Sequence, residues 1–390
     1  MVTRAIRSVH RYDGRAPVAS LRKVIDAARP DLILPLCDRG VQHMHQLYWL
    51  SRRSTGGNAG VADLIERSIG SSACYDVVSS RYRLLQVARN EGILTPEMSQ
   101  IEVRGDSVPQ LGRTNLPWVV KADGTSGGRG VRIANTPDET RRAIRELGQR
   151  PGLVELAKRM LLNRDRDWII ADWKLVHRDL LIQAHIDGRP ANCAVACWEG
   201  QVLAGACFEV LAAQGPKEPA SIVRVIEHQA MIDTVRKMAR RLQLSGFIGF
   251  DFMIENGTGA AYLIEMNPRC TTPVPISLGK GRDLVAALSS RLLGQPLPDR
   301  ESATSKDLIG YFPKNWGVAD NGYTLASEGT YYDAPEGEPA LVQELLRPWN
   351  PRTPLGRALD AVKRRLARES LAHTYVFDAM SFPGENAPKV

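Results

Sequence analysis

Residues 246–269 read GFIGFDFMIENGTGAAYLIEMNPR, two apolar runs separated by a turn that contains Asn256 and Gly257. Asn-Gly between such runs is a strong hairpin signal, so two antiparallel strands are predicted here. Side chains alternate with period two along a strand, which puts Asp251 on the face of Gly249 and Met253, and Glu265 on the face of Asn267. Each carboxylate stands between apolar neighbours, Phe250 and Phe252 for Asp251, Ile264 and Met266 for Glu265. An ionised group in these surroundings is costly unless a cation compensates it. Three hard oxygen donors on one surface fit Mg2+, which takes few protein ligands and fills its shell with water and substrate phosphates. A solvated polar face on an edge hairpin is the competing reading. Arg269 follows directly after Asn267 and Pro268, a permanently charged planar fork suited to clamping a phosphoryl or acyl-phosphate group.

Upstream, residues 118–131 read WVVKADGTSGGRGV, an apolar strand closed by Lys121 and then a loop holding Gly124, Gly127, Gly128 and Gly130. Glycines let backbone N–H groups converge and accept positive φ, so such loops wrap phosphate oxygens, and a lysine adds a point charge for the same anion. A short strand at 131–134 comes next, then a helix with a Thr136/Glu139 capping box, Pro137 at its first position and Gly148 as its stop. The glycines therefore join two strands, not a strand and a helix. Neither G-x-x-x-x-G-K-[ST] nor G-x-G-x-x-G is present, which excludes the P-loop and the dinucleotide fingerprint and predicts a hairpin flap.

The remaining chain sets the frame. With 390 residues and 43% hydrophobic content it can bury the cores of two or three lobes. The net charge of +8 suits an anionic ligand. Much of it sits in residues 355–371, LGRALDAVKRRLARESL, an amphipathic pattern expected to dock its apolar stripe on the protein, in preference to a membrane or a nucleic acid. The six cysteines show no C-x-x-C pair, and Cys193 and Cys197 face one way in a strand, so reduced thiols are expected. His43 and His45 lack nearby acidic or cysteine partners and read as packing or surface residues. No apolar run approaches the ~20 residues that span a bilayer, and the opening residues contain no apolar signal core, which gives a cytoplasmic expectation. Near the start, a helix at 18–28, a strand at 32–37 and a helix at 41–50 form half of an α/β unit without its opening strand, leaving a sheet edge at 32–37. Residues 180–211 alternate like paired strands with Gly188 and Gly200 as turns, and a helix at 227–242 is closed by Gly246.

With flap and hairpin in this order, the chain resembles the ATP-grasp superfamily over residues 79–295, in the style of its carbamoyl-phosphate-synthetase and biotin-carboxylase branch. The resemblance implies an α/β fold of ATP-grasp architecture. Its expected parts are a reduced N-terminal α/β lobe (1–78), a small lobe with the glycine-rich flap (79–180), a large lobe with the metal hairpin (181–300) and a C-terminal extension (301–390). It implies that Lys121, Gly127, Gly128 and Gly130 hold ATP phosphates, that Asp251, Glu265 and Asn267 hold Mg2+, with Mn2+ as a substitute, and that Arg269 faces an acyl phosphate. Arg81, which the resemblance places among the nucleotide-binding residues, stands where the family often has lysine. Gln183 takes a place that is often glutamate in the purine hinge, which ends at Ile186, and Pro190 replaces the acid expected for the ribose.

The resemblance further implies an ATP-dependent carboxylate–amine ligase that works through an acyl phosphate and releases ADP and phosphate. Its partners are small-molecule carboxylates and amines, with no nucleic acid and no transmembrane segment, and a homo-oligomer is compatible. The alternatives are a non-catalytic ATP-binding sensor, and a single-half enzyme like carbamoyl-phosphate synthetase or biotin carboxylase.

Overall fold

The computed structural model describes residues 8–10, 12–13, 16–53, 59–101, 116–123, 125, 128, 130–148, 179–213, 219–297, 301–313, 329–335, 337–346 and 375–376. The basic segment 355–371 and Gly127 lie outside these residues.

The described N-terminal part is helical, with α1 (Pro17–Ala28), α2 (Asp38–Arg53), α3 (Ala59–Ile69), the short α4 (Tyr75–Val78) and α5 (Arg81–Asn90). Val41, Met44 and Leu47 on α2 and Val61, Leu64 and Ile65 on α3 recur at helical spacing, so they share one core with Ile25 and Tyr75. The strand predicted at 32–37 does not form, and no sheet edge is exposed there. Pro35 has no N–H to give a ladder. Instead the Ile33 N–H donates to Ser68 Oγ at 2.9 Å, and the Pro35 carbonyl accepts from the Cys270 N–H at 3.0 Å, which ties this segment to the loop after the predicted hairpin. His43 and His45 are buried. His45 stacks on Tyr75 with ring centroids 3.9 Å apart, and burial pushes its pKa down to about 4.

A four-stranded antiparallel sheet contains β1 (Met98–Ile101), β2 (Trp118–Ala122), β3 (Val131–Ala134) and β4 (Leu180–Ala184) in the order β1-β4-β2-β3. Helix α6 (Pro137–Gly148) covers one face, with Ala143, Ile144 and Leu147 against Val120, Ala122, Leu180 and Ile182. The Glu139 N–H donates to Thr136 Oγ1 at 3.1 Å, and the Glu139 carboxylate accepts the Asn135 N–H at 2.7 Å, a capping arrangement that reaches one residue further back than the standard box. By alternation Val119, Lys121 and Gln183 are left on the opposite face, toward a cleft.

The larger sheet contains β5 (Gly188–Trp198), β6 (Gln201–Ala213), β7 (Ala220–Ile226), β8 (Gly246–Glu255), β9 (Ala261–Asn267), β10 (Leu308–Gly310) and β11 (Thr330–Tyr332). Their order is β11-β10-β7-β6-β5-β8-β9, with β12 (Tyr375–Val376) on β6. Strands β4 and β5, expected to pair around Gly188, belong to different sheets. Gly188 is bare because a Cβ there would lie 2.3 Å from the Ile254 carbonyl oxygen of β8, whereas Gly200 does turn a hairpin at φ 80°. Helix α7 (Gln229–Leu242) packs Met231, Val235 and Met238, together with Leu84 and Leu85 of α5, against Cys193, Val195, Phe250 and Phe252. It ends on Gln243 in the left-handed region (φ 48°), ahead of the expected stop at Gly246. Helix α8 (Leu284–Leu293) packs with the opposite face through Ala194, Ala196 and Phe247, and α9 (Pro339–Leu346) lies beyond. The expected α/β class is observed, and among the described residues no helix is long and apolar enough to cross a membrane.

Candidate active site

A cleft of about 540 Å³ is lined from both sheets. On its large-sheet side β8 and β9 pair with Asp251 opposite Glu265 and Gly249 opposite Asn267, so the three oxygen-bearing side chains share the face that their sequence spacing predicts. Asn192 of β5, in register with Asp251, lines the same cleft. Asn267 Nδ2 donates to Asp251 Oδ2 at 2.8 Å. Burial, and then the neighbouring charge of Glu265, push the Asp251 carboxyl up to about 6. Glu265 moves the other way: burial alone would raise it, but Arg81 and Lys121 outweigh burial and hold it below the ordinary carboxylate value.

On the small-sheet side Lys121 is 6% exposed, and its Nζ donates to the Ile264 carbonyl at 3.3 Å. Burial is the chief cause that brings its pKa down to about 8, against the pull of Glu265. The loop after it returns as a hairpin: the Ala122 N–H donates to the Gly130 carbonyl at 2.9 Å, and the Val131 N–H to that of Gly128 at 3.1 Å. Gly128 has φ 69°, and a Cβ on Gly130 would overlap the Thr125 side chain, so both glycines answer to the turn. Gln183 and Ile186 line the cleft, and the Gln183 Nε2 is buried without a hydrogen-bond partner.

Arg81 opens α5 and spends its guanidinium on protein. Nη1 donates to the Ala122 carbonyl at 2.6 Å, and Nη2 donates to the Thr125 carbonyl and to Glu265 Oε1, both at 2.8 Å. Its backbone N–H donates to Asp123 Oδ1 at 3.2 Å. Burial lowers the Arg81 pKa, but Glu265 and Asp123 outweigh it and the net shift is upward.

Arg269 is fixed on three sides. Nε donates to Asp38 Oδ1 at 2.9 Å, Nη2 to Asn267 Oδ1 at 3.1 Å, and Nη1 to the Cys270 carbonyl at 3.3 Å. Asp38, at the start of α2, lines the cleft and is a residue that sequence reasoning missed, as are Asp123 and Thr125 beneath the flap. The only local signal was an acid at a helix start in PLCDRG. Two other cations stand apart from the cleft: Arg224 has Nη1 3.5 Å from buried Glu209, which Arg189 also holds at 2.6 Å, and Lys280 is exposed; neither lines the cleft.

Among the described residues no group of three or more His, Cys, Asp or Glu forms a metal cluster. The hairpin set of two carboxylates and one amide oxygen still fits Mg2+, an ion that keeps most of its shell for water and phosphates. A cation bound there would offset the burial and the Glu265 charge that raise the Asp251 acid.

A model of the ATP-grasp domain matches residues 78–273, half of the 390-residue chain. Among solved structures, a biotin carboxylase–β-γ-ATP complex from Campylobacter jejuni is 15% identical, with 72% of this chain and 58% of that one covered and a TM-score of 0.51. The biotin carboxylase domain dimer of Hydrogenobacter thermophilus 2-oxoglutarate carboxylase, in complex with MgADP, ADP and bicarbonate, is 16% identical, with 73% and 58% covered and a TM-score of 0.51. At these identities the likeness is one of fold, and the chain spans 58% of the length of each. No curated protein sequence matches it.

Proposed function

The chain belongs to the ATP-grasp family, and on that premise we propose that it is an ATP-dependent ligase. It activates a carboxylate as an acyl phosphate, joins it to an amine, and releases ADP and phosphate. The observation that carries this reading is the convergence of Asp251, Glu265 and Asn267 on one face, across the cleft from Lys121 and next to Arg269.

In this reading Asp251, Glu265 and Asn267 hold Mg2+ or Mn2+, which when bound neutralises phosphate oxygens. Lys121 and the loop glycines 127, 128 and 130 cradle the phosphates, and Gln183 and Ile186 frame the base. With a pKa near 8, Lys121 is mostly charged at neutral pH. Arg269, its fork oriented by Asp38 and Asn267, faces the group in transfer. Phosphoryl transfer depends on positioning and electrostatics more than on general acid–base chemistry, so no nucleophile triad is required. The division into residues 1–78, 79–180, 181–300 and 301–390 belongs to the same proposal.

A non-catalytic nucleotide sensor is the second reading, favoured by Arg81 and Arg269 standing on oxygens of Glu265 and Asn267. ADP release measured across a panel of carboxylates, with and without amines, separates the two. A ligase cleaves ATP only with the right acid. Arg269→Lys keeps the charge and loses the planar fork, so turnover is expected to fall about 100-fold with ATP affinity nearly unchanged. ATP cleavage indifferent to every acid would overturn the ligase assignment.

A further inference from the structure

Arg81 bridges the flap base and the hairpin, which line the same cleft. Its Nη2 carries two hydrogens, and both are spent, one on the Thr125 carbonyl at the base of the flap and one on Glu265 Oε1 of the hairpin. Nη1 adds the Ala122 carbonyl, also at the flap base, and lies 3.6 Å from Asp123 Oδ1. The side chain is largely buried, at 14% exposure, and its Nε has no partner. A lysine ammonium at this position could satisfy one or two of these acceptors, whereas the planar fork reaches them together.

We propose that Arg81 is an internal cation that latches the flap base to the hairpin, and that a divalent ion taking Glu265 Oε1 displaces it and thereby releases the flap base. The inference rests on the metal reading of the hairpin given above. The guanidinium holds Oε1, one of the two carboxylate oxygens that Glu265 could offer to an ion, and a divalent ion placed on that oxygen repels it. Metal loading and flap opening are then one event. A phosphate ligand at this position would behave in the opposite sense: its removal would weaken nucleotide binding and leave the bare ion's affinity unimproved.

The test titrates Mn2+ into nucleotide-free wild type, Arg81→Gln, Arg81→Lys and Lys121→Gln, and follows amide hydrogen exchange across residues 122–131. Removing a charged hydrogen bond that competes with the ion should tighten Mn2+ binding about tenfold or more in Arg81→Gln. Lys121→Gln deletes a nearby like charge without a bond to the Glu265 side chain, and should gain less. Mn2+ should speed flap exchange in wild type. Arg81→Lys, which keeps the charge and the fold but not the fork, should exchange fast before any ion is added. Equal gains in Arg81→Gln and Lys121→Gln, or flap exchange insensitive to Mn2+, overturn the latch and leave the metal site standing. Failure of every protein to bind Mn2+ overturns the metal site and the latch together.

Discussion

Asp251→Asn offers the sharpest reading of the hairpin's electrostatics. The folded protein raises this acid from its ordinary 3.8 to about 6, chiefly by burial and then by the charge of Glu265. Between those two values the folded state binds more protons than the unfolded state, so stability falls as pH rises through this window. At ~1.4 kcal/mol per pH unit the ceiling is about 3 kcal/mol, and screening of the partly exposed carboxylate brings the expected value to about 1–2 kcal/mol. An asparagine retains an oxygen for Asn267 Nδ2 and carries no charge. Urea unfolding of both proteins in EDTA, from pH 4.5 to 8, is the assay. The variant should be the more stable at pH 8, and the difference should shrink toward pH 5. His45, whose pKa burial pushes down to about 4, opposes this slope in both proteins and cancels in the difference. Mg2+ should then stabilise wild type and not the variant. A variant less stable than wild type by the same margin at every pH would refute the electrostatic reasoning.

Three other outcomes follow from the same contacts. Lys121→Ala should weaken ATP binding by about 1.5–3 kcal/mol without unfolding the protein, which calorimetric titration measures. With Lys121 near 8, wild-type ATP affinity should decline as pH rises from 7 to 9, and that decline should be absent from the alanine variant. Glu265→Gln removes the acid bound to Arg81 at 2.8 Å, so the fold should lose about 1–3 kcal/mol at pH 7. Because the Glu265 pKa is held low, that loss is present above the ordinary carboxylate range and disappears as the acid protonates at low pH, a profile opposite to that of Asp251→Asn.

The hairpin and the flap were legible because local signals specify them: Asn-Gly at the turn, period-two alternation, and glycines after a strand lysine. The face shared by Asp251, Glu265 and Asn267 follows from that alternation alone. What escaped the sequence were contacts made at long range. Asp38 meets Arg269 across 231 positions and Arg81 meets Glu265 across 184, and no local spacing encodes either pair. Residues 32–37 carry strand-like apolar residues, but their polar groups find Ser68 and Cys270 and no neighbouring strand. Gly188 reads as a turn, yet it stands at the step from one sheet to the other, where the β8 backbone comes too close for a side chain. Arg81 was legible as a cation where the resemblance expects a lysine, while its engagement with flap and hairpin together depends on where α5 docks.

The measurement closest to the central assignment is hydroxylamine trapping of the activated acid. Wild-type protein, ATP, Mg2+ and the carboxylate that supports ADP release are incubated with hydroxylamine, and the hydroxamate is identified by mass. An acyl-phosphate ligase should form it in step with ADP, and Arg269→Lys should lower both together. ADP release without any hydroxamate, or nucleotide binding with no acid-dependent cleavage at all, would contradict the assignment.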